Sequence, residues 1–153
     1  MEKIKDLFRK SAFLILLVTM ISGCKKAPIN DDIQGFWILR EFTTLDDGVE
    51  HKCDRLYYSI GRFVTEISER QGPNNYGHYV GLTEFRNNET QIVLKSFRSK
   101  SGSAGDDGMD VPVDKLLPFG INNPEETIFE IIKCNGKSMI LESDYARLEL
   151  EKF

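Results

Sequence analysis

From about residue 35 onward, apolar and polar residues alternate with period two through most of the chain. Phe36, Ile38, Arg40 and Phe42 alternate with Trp37, Leu39, Glu41 and Thr43, which predicts a first strand over 35–44. Asp47-Gly48 then marks a reversal. A second strand is expected over 52–60, with Leu56, Tyr58 and Ile60 on one face. Beyond Gly61 a third covers 62–69 and groups Phe63, Thr65 and Ile67. Residues 71–75 read as a loop. Strands over 77–86 and 90–98 flank Asn87-Asn88-Glu89, and strands over 126–134 and 137–143 flank Asn135-Gly136. Asn-Gly predicts a type I′ turn with positive φ at both positions. The last strand, 146–152, places Ala146, Leu148 and Leu150 together. Residues 99–125 break the rhythm: their first half is flexible by composition, and 113–119 fits one short helical turn.

Eight half-polar segments in hairpin order predict an all-β antiparallel protein. Closure into an eight-stranded up-and-down barrel removes exposed edges and is preferred. A two-sheet sandwich is the alternative. A membrane-spanning barrel is disfavoured, because several strands carry charge on both faces.

The first residues follow a different pattern. Lys3, Lys5, Arg9 and Lys10 outweigh Glu2 and Asp6, and the next charge-free run, 12–21, is half the length that crosses a bilayer. It suits the apolar region of a signal peptide. The run ends in Ile21-Ser22-Gly23-Cys24, which resembles the bacterial lipobox. That resemblance implies cleavage after residue 23 and acylation of Cys24, with two or more acyl chains giving a stable anchor. Lys25 follows where inner-membrane retention uses aspartate, so the outer membrane is the expected address, on its periplasmic or outer face. Residues 24–34 read as an acylated tether and 35–153 as the folded domain.

Length and charge narrow the function classes. The 153 residues make room for one domain, and a net charge of −4 argues against a nucleic-acid binder. Removal of residues 1–23 takes away more bases than acids and leaves the remainder more acidic.

Gly35-Phe36-Trp37 matches the Gly-x-Trp that opens lipocalin barrels, where the tryptophan packs across the floor. With the lipobox, the short tether, a late turn around Leu117-Pro118-Phe119-Gly120-Ile121 and a terminal ARLELEKF strand, residues 33–153 resemble the small, calycin-like, lipocalin-like lipoproteins of gut Gram-negative bacteria. The resemblance implies a closed barrel and an arginine from the last strand covering the tryptophan, a role that falls on Arg147. It also implies a small apolar or amphipathic ligand, with Trp37, Tyr58, Phe63 and Phe85 as lining residues. A barrel filled by side chains, acting as an interaction or accessory module for other envelope proteins, is the alternative.

Other chemistry has little local support. His51 and His78 stand far apart without the short spacings of zinc sites, so no metal or other cofactor is expected. Asp106 to Asp110 lacks the alternating ligands and distal glutamate of a calcium loop. No Gly-x-Ser-x-Gly elbow occurs, and Glu66 with Glu69, or Glu41 with Glu84, are explained as charges on outer strand faces; no enzymatic activity is expected. Export permits a disulfide between Cys53 and Cys134, the alternative being two separate half-buried thiols.

Overall fold

The computed structural model describes residues 32–100 and 107–153. Cys24, the signal segment, most of the tether and the 101–106 stretch lie outside the described residues. Eight strands run in order: β1 (Gly35–Thr44), β2 (Glu50–Ile60), β3 (Val64–Glu69), β4 (His78–Arg86), β5 (Gln91–Ser99), β6 (Glu126–Cys134), β7 (Ser138–Glu142) and β8 (Ala146–Lys152). Each pairs antiparallel with its sequence neighbours, and β8 returns to β1, closing the barrel. The up-and-down barrel expected from the alternation is the observed fold, and the sandwich is set aside. Between β5 and β6 a single helical turn, α1 (Val113–Leu116), runs into a 3-10 turn at Leu117–Phe119.

Two bulges change which residues face inward. In β1, Trp37 and Leu39 are buried, yet so are Phe42 and Thr44, which simple alternation puts on the other face. The register slips between Leu39 and Glu41, and the extra residue reverses the parity beyond it. In β5 the sequence step from Ile92 and Leu94 to Phe97 spans an odd residue, Ser96, held at φ 55. Phe97 thereby turns inward over Gly81, where a Cβ would stand 2.8 Å from its ring.

Hairpin parity defines two ends. The floor holds the chain's entry at residues 32–34 and the β2–β3, β4–β5 and β6–β7 turns. The mouth holds the β1–β2, β3–β4 and β7–β8 connections and the α1 segment. Asn135-Gly136 does make its hairpin, though not as a type I′ turn. Only Gly136 takes positive φ (74), while the Asn135 side chain accepts from the backbone N–H groups of Lys137 and Ser138. Three successive left-handed residues instead occur at Asn87, Asn88 and Glu89.

The ends also separate the two cysteines. Cys53 lies near the start of β2 at the mouth, and Cys134 ends β6 at the floor; both are free thiols. The disulfide that export would permit is not formed and the alternative of two separate thiols holds, because β2 and β6 both run from mouth to floor and Cys53 lies near the start of one while Cys134 ends the other.

Candidate functional site

The floor is built first by the sequence around Gly-x-Trp. Trp37 is fully buried and its indole N–H donates to the Ile33 carbonyl at 2.8 Å, drawing residues 32–34 across the barrel end. Lys152, aligned with Trp37 in the β1–β8 ladder, holds its ammonium 4.4 Å from the indole and donates to the Gln34 carbonyl at 2.6 Å. Gly35 is needed here, since a Cβ at its φ of 138 would strike the Lys152 side chain. The cation over the tryptophan is thus Lys152 and not Arg147, which points outward and pairs with Glu142 at 2.7 Å. The signal was present in the strand: Lys152 continues the inward series Ala146, Leu148, Leu150.

The interior above this floor is filled. Leu116, Phe119 and Ile121 are each fully buried and descend from the mouth as a plug. Gly120 makes the reversal possible at φ 75, its N–H bonding to the Leu117 carbonyl. Tyr58, fully buried, donates its hydroxyl to the Phe119 carbonyl, and the Phe119 ring meets Tyr79 edge-on at 6.1 Å.

The four residues expected to line a pocket therefore take different places. Trp37 and Tyr58 are core, and Phe85 packs partly buried against that core. Phe63 is 68% exposed and precedes β3 instead of lying within it. The Gly61 N–H donates to the Val64 carbonyl, so Phe63 still belongs to the β2–β3 turn and its ring is left exposed at the floor. Phe63 is corrected from lining to surface residue.

Open space lies at the mouth instead. A cleft of about 670 Å³ runs between the β3–β4 loop, the end of β5 and the segment leading into α1. Glu69 folds one wall by accepting from the Asn74 and Tyr76 backbone N–H groups at 3.0 and 2.7 Å. Tyr79 fixes the next turn through its hydroxyl on the Tyr76 carbonyl at 2.6 Å. On the opposite wall Arg98 pairs with Asp110, beside Met109 and the buried Val111. Glu66 holds Lys100 at 2.8 Å and His78 at 2.9 Å, and Lys100 first, then His78, keeps its carboxyl below the ordinary value. Lys115 lies at the edge, exposed and without an ion pair among the described residues. None of the four expected lining residues touches this cleft. No spacing in the sequence could have announced it, because its walls come from two connections, β3–β4 and β5–β6, that are far apart in the chain.

A second cleft of about 390 Å³ adjoins Phe42, His51, Cys53, Leu56, Tyr76 and Tyr145. His51 stacks on the Phe42 ring at 4.5 Å, and burial pushes the Cys53 thiol up to about 11. That thiol is a poor nucleophile at neutral pH. Among the described residues no three His, Cys, Asp or Glu side chains gather for a metal ion. Glu41 is tied to Lys52, Glu84 to Arg86 and Lys95, Glu66 to Lys100 and His78, and Glu69 to the Asn74 and Tyr76 backbone, so each carboxylate considered from sequence is engaged by partners of its own.

A closed eight-stranded meander with Gly-x-Trp at its floor and a cation over the indole defines the lipocalin-like class of barrel. The chain belongs to the lipocalin-like domain family, whose sequence pattern it matches over residues 18–153. Among solved structures it is similar to a lipocalin-like protein from Bacteroides uniformis (TM-score 0.56, 18% identity, 80% of this chain and 99% of that one). It is likewise similar to an uncharacterized protein from Bacteroides eggerthii (TM-score 0.59, 18% identity, 78% and 98% covered). No curated protein matches the chain. At such identities the likeness establishes the fold alone.

Proposed function

We propose that this protein is a lipid-anchored, non-enzymatic barrel of the cell envelope that takes a small amphipathic molecule at its mouth. The 670 Å³ cleft carries the reading, being within the range of small-molecule sites at about 300–1,000 Å³. Its apolar side, Tyr79, Met109, Val111 and Pro112, faces a polar side whose carboxylates are already engaged. Lys115 remains to meet an anionic group, so an amphipathic acid fits better than a neutral hydrocarbon. The anchor is supported by the lipobox-like Ile21-Ser22-Gly23-Cys24 that follows a short apolar run. An outer-membrane address rests on Lys25 following Cys24.

Native mass spectrometry of the acylated protein from its host, with displacement of a fluorescent fatty acid, tests the reading. A co-purifying small molecule and a displaceable probe, weakened about tenfold by Lys115→Glu, are expected if one charge-assisted contact is lost. Neither bound mass nor displaceable probe would overturn it. The accessory-module reading is favoured by a different observation, the Leu116–Phe119–Ile121 plug that fills the interior. Recovery of specific envelope proteins with an empty cleft would support that alternative.

A further inference from the structure

We infer that the floor rim of the barrel, centred on Phe63, lies in the interfacial layer of the membrane that carries the anchor. This rests on the anchor reading above but adds an orientation and a contact surface. Phe63 is 68% exposed, and it is continuous with Val64 and Leu82, which stand opposite each other in the β3–β4 ladder and are 40% and 49% exposed. Phe153, 77% exposed, adds a second ring at the same end. The Arg62 guanidinium lies 5.1 Å from the Phe63 ring centroid. An aromatic ring with a cation beside it suits the headgroup boundary, the ring against acyl chains and the charge among phosphates.

The mouth also exposes apolar residues, among them Leu45, Val49 and Met109, so exposure alone does not choose an end. Chain reach does. Cys24 precedes Asp32 by eight residues, at most about 28 Å of chain. The eleven residues of β2, at ~3.3 Å each and tilted as barrel strands are, make the wall about 28 Å tall. Bringing the mouth to the bilayer would consume the entire tether running back along the wall. Resting on the floor needs almost none of it. Lys25 and Lys26, next to the anchor, reinforce attraction to anionic headgroups.

The test uses the full acylated protein in vesicles of phosphatidylethanolamine and phosphatidylglycerol, some containing brominated acyl chains. Phe63→Trp and Leu45→Trp place single reporters at floor and mouth, read against the unaltered chain, whose Trp37 is buried. Both sites are exposed, so neither change disturbs the core. Blue-shifted emission at position 63, with bromolipid quenching at least about twofold stronger than at position 45, is the expected result for interfacial insertion. Equal quenching at both positions, stronger quenching at 45, or none at either overturns the inference. Labelled palmitate incorporation is scored in the same preparation. Label present with position 63 unquenched refutes the membrane contact alone, whereas absent label refutes the anchor and the orientation with it.

Discussion

At the residue scale, the two described thiols show how a barrel overrides what composition permits. Cys53 and Cys134 sit at opposite ends, so neither can reach the other without dismantling the hydrogen-bonded wall. Alkylation of oxidatively purified protein in denaturant is expected to modify both, and a mass consistent with a Cys53–Cys134 bridge would contradict the topology. Under native conditions Cys53 should react slowly at pH 8, because a thiol raised to about 11 by burial, with Glu41 adding to the effect, is thiolate on the order of one part in a thousand. Its reactivity should climb as pH rises toward that value, since the raised pKa delays only the loss of the proton. The Lys152–Trp37 contact belongs to this scale too. The inward parity of β8 made Lys152 legible, while the bulge in β1 that reverses parity at Phe42 left no mark in the alternation.

Among the elements, the plug and the β4–β5 turn carry the clearest energetic consequences. Phe119 is fully buried against Tyr58, Tyr79 and the barrel wall, so Phe119→Ala should cost about 3–5 kcal/mol through lost burial and a cavity. A denaturant midpoint unchanged by that substitution would show that the plug is not part of the cooperative core. The β4–β5 turn holds Asn87, Asn88 and Glu89 at φ of 51, 53 and 65. Asparagine tolerates this region and glutamate does not, so Glu89→Gly should stabilise by about 0.5–1 kcal/mol, read as a raised melting temperature. A lowered one would mean that the glutamate side chain outweighs its backbone strain. The hairpins themselves were legible from their Asn and Gly residues. Turn type was not: at Asn135 a side-chain oxygen satisfies two N–H groups and makes a second left-handed residue unnecessary.

For the whole molecule, closure is the decisive feature. β8 is hydrogen-bonded to both β7 and β1, and its Leu148 and Leu150 are buried. A chain truncated after Arg147 should therefore lose its cooperative thermal transition altogether, because β1 and β7 are left with unpaired edges and the floor cation is lost with them. A retained sigmoidal transition by circular dichroism would show that seven strands suffice. Closure also decides where binding chemistry can be. An eight-stranded barrel is just wide enough to be filled by its own side chains, and here the wall aromatics and the plug do so, leaving the open space at the mouth.

The sequence by itself determined the eight strands, their order and the inward faces of β2 and β8, because alternation and turn chemistry are local and each strand reports its own two faces. It also carried the Gly-x-Trp floor and the short turn before β6. Only the tertiary structure decided that Phe63 stands outside, that Phe42 and Phe97 turn in, and that the cleft lies between two connections distant in sequence. Bulges reverse parity at positions set by the neighbouring strand, and a cleft between loops exists only once the barrel has fixed where those loops begin and end.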